Sequence, residues 1–159
     1  MKRLILSLTV LLLMAALLTA CGGGSGKQPL PSSPELAQKL MDSGVFSDML
    51  EAADPDIAAY LYGFTEEDGV EIHSWFSSSG ATAEELTLFV CKDDTALSAA
   101  RKSADARLEV QKSTFSNYVP AEVPKLEGAI VRTRDKVLVV CVAADPEKAA
   151  KLLAPYFPA

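Results

Sequence analysis

Two segments of this chain, 86–91 and 137–142, read as strands that are apolar on both faces. Leu86, Leu88 and Val90 alternate with Phe89 and Cys91; Leu138, Val140 and Val142 alternate with Val137, Val139 and Cys141. A strand with no polar side cannot leave either face to water, so the sheet containing it has to be covered on both sides. We expect Leu86, Leu88 and Val90 to share a face with Leu138, Val140 and Val142, which places Cys91 and Cys141 together on the other face. One face would be covered by the two helices that follow these strands, the other by amino-terminal helices or by a second subunit.

The neighbouring segments supply those layers. Apolar residues at three-to-four spacing between 45 and 64 (Phe46, Met49, Leu50, Ala53, Ile57, Tyr60, Leu61) form a helical stripe, and Asp54-Pro55 divides it into two short helices, the second closing at Gly63. Residues 70–77 read as a strand, 78–81 as a loop and 85–91 as the second strand of a hairpin. A long amphipathic helix runs from Asp93 or Asp94 to about Tyr118 and is stopped by Pro120; its stripe is Leu97, Ala100, Ala104, Leu108, Gln111, Phe115 and Tyr118. Beyond Pro124 lies a second hairpin, 129–133 and 136–142 around Arg134-Asp135, and then a last helix over 148–156 after Asp145-Pro146.

Laying residue 86 on 136 aligns Leu88-Phe89-Val90-Cys91 with Leu138-Val139-Val140-Cys141 and Ala99-Ala100 with Ala149-Ala150. The order is therefore hairpin, helix, hairpin, helix. The expected fold is α+β: a four-stranded antiparallel sheet from two such units (ββαββα), both helices on one face, with an additional amino-terminal helical segment.

Upstream, Lys2-Arg3 precedes an apolar run from Leu4 to Leu18 that is shorter than the roughly 20 residues of a spanning helix, then Thr19-Ala20-Cys21 and a glycine run. Leu18-Thr19-Ala20-Cys21 resembles the bacterial lipoprotein signal. That resemblance implies cleavage before Cys21 and lipidation of its thiol, with an ordinary signal peptide or an uncleaved anchor as the alternatives. The expected division is 1–20 signal peptide, 21–34 Gly/Ser/Pro tether and 35–159 a single domain, held by lipid on the extracytoplasmic face of the cell membrane. Loss of Lys2 and Arg3 leaves thirteen basic against twenty-one acidic side chains, taking the formal charge from −6 to −8. So acidic a surface, without a basic stripe, argues against nucleic acid as a partner.

Few residues offer chemistry. Cys91 and Cys141 could pair in an oxidising compartment, but strand ends related by a pseudo-twofold axis point to opposite edges of the sheet, which favours buried free thiols over a disulfide. His73 is the sole histidine, beside Trp75 in a strand; no triad, elbow serine or multi-histidine site can be built from it. Neither Glu66-Glu67-Asp68 nor Asp93-Asp94 has calcium-loop spacing, and no Cys-x-x-Cys occurs, so no metal and no cofactor is expected. Gln111 is polar on an apolar stripe. Arg107, Gln111 and Tyr118 could together line a polar pocket where the long helix leaves the sheet, or Gln111 could simply hydrogen-bond the nearby connector.

The region from Tyr62-Gly63 to the last helix resembles a family of small lipoproteins, mainly from Gram-positive anaerobes, known only as a domain of unknown function. The likeness is carried by Tyr62-Gly63, the Ser-rich hairpin before Ala83-Glu84-Glu85-Leu86, Arg107-Leu108-Glu109 with Gln111, Phe115 and Tyr118-Val119-Pro120, and the closing hairpin. It implies an exported, membrane-tethered domain and no reaction. The expected function is non-catalytic binding of an envelope protein, peptide or small ligand. A homodimeric structural or assembly factor is the alternative, and an envelope-acting hydrolase a third reading.

Overall fold

A computed structural model describes residues 28–159. Cys21, the segment 1–20 and the first part of the expected tether lie outside the described residues. Five strands form one antiparallel sheet: β1 (Leu50–Ala52), β2 (Val70–Ser77), β3 (Glu85–Cys91), β4 (Ile130–Arg134) and β5 (Val137–Val142), in the order β1-β2-β3-β5-β4. Five helices accompany them: α1 (Ser33–Asp42), α2 (Pro55–Tyr62), α3 (Asp94–Tyr118), the short α4 (Val123–Glu127) and α5 (Pro146–Leu153). The α+β class and the antiparallel sheet agree with the sequence expectation; the strand count does not.

The fifth strand comes from the segment read as the first of two amino-terminal helices. Val45 and Leu50 are buried while Met49 is 66 % exposed, which is not a helical stripe. The backbone N–H groups of Ser47 and Asp48 donate to the Glu84 carboxylate, each at 2.9 Å, and Leu50 pairs with Ser77. Tertiary partners thus capture the donors that a helix would need. The second helix forms as expected. Asp54 accepts from the Asp56 N–H, Pro55 occupies the first turn, and Gly63, at φ 72°, closes α2 in the left-handed conformation that glycine adopts without strain. Its inward side chains are Ala58 and Tyr62, whereas Ile57, Tyr60 and Leu61 of the expected core stripe are exposed.

A further helix lies upstream. Ser32 and Glu35 form a capping box, with the Ser32 N–H donating to Glu35 at 2.9 Å, so α1 begins inside the stretch assigned to the tether. The chain is already docked at Gln28, whose N–H donates to the Pro155 carbonyl at 3.2 Å. Arg134 also reaches the Gln28 carbonyl, and Leu30 packs on the core.

The register sorts the faces differently from the expectation. Leu86 opposes Cys141, Leu88 opposes Val139 and Phe89 opposes Leu138, so Leu86 and Leu88 share a face with Val139 and Cys141, not with Leu138 and Val140. On that face lie α1, through Leu36 and Leu40, α5, through Leu153, and the turn after it, through Phe157. On the other, Phe89, Leu138, Val140 and Val142 meet α2 and α3 through Ala58, Tyr62, Ala100, Ala104, Leu108 and Phe115. The two helices that follow the hairpins therefore cover opposite faces. A twofold relation between the hairpin units would have kept them on one, so the 86-on-136 likeness does not extend to tertiary structure.

Cys91 and Cys141 are free and buried. They lie on opposite faces, and Cys91 is level with Lys136 while Cys141 is level with Leu86, a separation of roughly 17 Å along the strands. Their places at opposite ends of the β3–β5 pair keep them apart, as expected, and the opposite faces, which were not expected, do so as well. Burial, with the charges of Glu85 and Glu84 behind it, pushes the Cys141 thiol up to about 12. We expect a thiol reagent at pH 8 to leave Cys141 unmodified in the folded protein. After unfolding without reductant, mass mapping should find both residues alkylated; a Cys91–Cys141 bridge in that digest would contradict the fold.

Candidate functional site

Adjacent carboxylates open β3. Because successive strand residues point to opposite sides, Glu84 and Glu85 are buried in different surroundings, and each has its own basic partner. Glu84 accepts from Lys125 Nζ at 2.8 Å, from the Ser47 and Asp48 N–H groups and from the Ser47 hydroxyl. Burial alone would raise its pKa, but the bonds from Lys125, Ser47 and Asp48 outweigh that and hold the carboxyl below its usual range. Lys125 also pairs with Glu122 at 2.9 Å, and Glu122 accepts from the Ala83 N–H at 2.9 Å.

Glu85 faces α3. Arg107 donates to its Oε2 through Nε at 3.1 Å and Nη2 at 2.9 Å; the Tyr62 hydroxyl donates to Oε1, and Thr87 lies 3.2 Å from the same oxygen. Ser74 extends the network to Thr87 at 2.9 Å. The guanidinium carbon lies 5.0 Å from the centroids of both Tyr62 and Phe76, so two rings and a carboxylate fix its plane. Burial and the Glu85 charge hold the Tyr62 hydroxyl well above the ordinary tyrosine range.

A cleft of about 400 Å³ opens beside this cluster, between the second half of α3 and the β2–β3 end of the sheet. Ala96, Ala100 and Ala104 are the inward residues of the first half of α3. Small side chains there let the helix lie close to the strands, and from Leu108 onward larger ones give room beneath it. Arg107, Gln111 and Tyr118 all line the cleft together with Phe115 of the same helix, and Phe76 and Thr82 stand on the facing wall. Tyr118, expected on the buried stripe, is 77 % exposed at the rim. The Thr82 hydroxyl is buried on the facing wall without a hydrogen-bond partner among the described residues.

The stretch 42–143 matches the family described as Domain of unknown function (DUF4358). The chain belongs to the DUF4358 family. Neither a curated protein nor a solved structure matches it. All the cleft residues of the DUF4358 domain fall within the matched stretch, whereas α5 and nearly all of α1 lie outside it.

Other residues singled out from the sequence are not brought to the cleft. His73 lies on the opposite face of β2, its Nε2 3.0 Å from Glu71. Glu66–Asp68 is a turn of 3-10 helix, and Asp93 caps α3 by accepting from the Ala96 N–H. Among the described residues, no three His, Cys, Asp or Glu side chains converge as a metal would require, and no helix is long and apolar enough to cross a membrane. Arg107, Gln111 and Tyr118 stand out in the sequence, whereas no local pattern gives a role to Lys125, Glu122 or Phe76, and Glu84, Glu85 and Tyr62 stand out only through the family resemblance. Two adjacent glutamates leading into an apolar strand were the available signal, because buried carboxylates need paired cations.

Beside the cleft, Asp48 accepts from the hydroxyls of Ser77 and Ser79, which lower its pKa to about 2. A carboxylate depressed in the folded state contributes stability above its unfolded pKa of about 4, and loses it as pH falls through the folded value. Urea midpoints of the wild type should therefore fall between pH 4 and pH 2 more steeply than those of Asp48→Asn. Parallel profiles would show that Asp48 is not linked to folding.

Proposed function

We propose that the protein is a lipid-anchored, extracytoplasmic binding module without catalysis, and that the cleft along Arg107, Gln111 and Tyr118 receives its ligand. One observation carries this reading: the cleft and the point of chain entry lie at opposite ends of the sheet. Gln28 docks beside Arg134, at the β4–β5 turn, whereas Glu85 pairs with Val142 at the other end of β5, roughly 17 Å away. A domain held through residues preceding Gln28 would present its cleft away from the anchor. The saturated carboxylates favour binding over chemistry, since Glu84 and Glu85 are both committed to cations and hydroxyls and neither is free to act as a base. A homodimer through an open sheet face has lost that surface to α1 and α5. A dimer would instead use the exposed Ile57, Tyr60 and Leu61 of α2.

Mass spectrometry of the mature chain tests the anchor: a diacylglyceryl group on Cys21 is expected, and an unmodified cysteine would remove it. Photocrosslinking in intact cells tests the cleft. A crosslinker at Tyr118 should capture a ligand or partner that one at Val90, near the chain entry, does not; equal capture from both positions would overturn the assignment.

A further inference from the structure

Resting on that reading of the cleft, we infer that its ligand is an organic carboxylate with an apolar body. Glu85 occupies one edge of the Arg107 guanidinium, that of Nε and Nη2. Nη1 makes no hydrogen bond among the described residues, yet it is not one of the buried unpartnered atoms. The outer fork, Nη1 with the second hydrogen of Nη2, is thus left for a ligand. Its spacing matches the two oxygens of a carboxylate, and Tyr62, Phe76 and Glu85 already hold it in place.

Charge at the wall has the same sense, although the protein as a whole is acidic. Glu84, Glu85 and Arg107 all line the cleft, but the two carboxylate side chains are 0 % and 4 % exposed against 14 % for Arg107, so the guanidinium is the most exposed charge on its wall. Gln111, one turn along α3, adds an amide that can donate beside it. Leu61, Phe76, Phe115 and Tyr118 supply apolar surface for the rest of the ligand. The volume, about 400 Å³, lies toward the small end of the roughly 300–1,000 Å³ of small-molecule sites. Both the carboxy-terminal end of a peptide and a free small acid offer this chemistry.

The test is calorimetric titration of the full chain, purified in non-ionic detergent, with N-acetyl-phenylalanine, its neutral amide and N-acetyl-alanyl-phenylalanine. The acid should bind at least about tenfold more tightly than the amide. Arg107→Lys should abolish that preference, and because it disturbs the Glu85 pair, Gln111→Ala and Tyr118→Ala serve as surface variants that keep the fold and weaken the acid. Tighter binding of the dipeptide points to peptide ends, and equal binding of the two acids to a free small acid. Equal binding of acid and amide would overturn the carboxylate inference while leaving the cleft as a binding site. No binding of any probe would also overturn it, and crosslinking from Tyr118 then decides separately whether the cleft binds at all.

Discussion

Glu85→Ala should lower the stability of the folded protein by about 3–5 kcal/mol in urea denaturation at pH 7. Removing one member of a buried pair leaves the other charge without compensation, and here the guanidinium would remain clamped between Tyr62 and Phe76. The Tyr62 hydroxyl would lose its acceptor too, and water has little access to the site, with Glu85 4 % and Arg107 14 % exposed. Replacing both partners, as in Glu85→Leu with Arg107→Leu, should recover most of the loss, because apolar groups of similar size need no partner. A double variant as unstable as Glu85→Ala would mean that packing, not charge, holds this corner. The pair is a costly way to stabilise a sheet face that Leu or Phe could fill, so its presence at the cleft wall agrees with a role in recognition.

The second large effect is expected at the other face. Phe157→Ala should destabilise by about 3–5 kcal/mol, since the ring is fully buried against the layer formed by Leu36, Leu40 and Leu153. Tyr118→Ala, which removes an aromatic ring 77 % exposed at the cleft rim, should stay within about 0.5 kcal/mol of the wild type. The same urea titration separates them, and a Phe157→Ala midpoint equal to that of Tyr118→Ala would refute the packing of the carboxy-terminal turn. The family match ends at residue 143, yet α5 and the turn after it cover one face of the sheet. The folding unit is therefore larger than the stretch shared with the family.

Local signals located the elements well. Asp54-Pro55 with Gly63, the hairpin around 78–81, the helix up to Pro120 and the Asp145-Pro146 start all had unambiguous punctuation, and each is found where it was read. The faces were not legible, for a definite reason. From residue 86 onward β3 has Thr87 as its one polar side chain and β5 is apolar on both sides, so shifting their pairing by one residue leaves the pattern almost unchanged, and alternation cannot say whether Leu88 lies beside Leu138 or Val139. That ambiguity put both later helices on one face and both thiols together. β1 was hidden because its three residues lie in a stretch with helical spacing, while its pairing depends on Ser77 and on the grip of Glu84 upon Ser47 and Asp48. The cleft was legible in part. Arg107, Gln111 and Tyr118 follow helical spacing, but Glu85 and Phe76 reach them only through the sheet, which no local pattern encodes.

Arg134 reaches the carbonyls of both Gln28 and Tyr156, and Gln28 is bonded in turn to Pro155, so the described chain starts and finishes at one corner. Tension applied through the residues before Gln28 would be taken up by this clasp and by the edge strand β4 that bears it. Between the clasp and the cleft stands the full length of β5, paired on both sides. Opening the clasp would therefore leave the Glu85–Arg107 pair, at the far end of the strand, with all its own contacts in place.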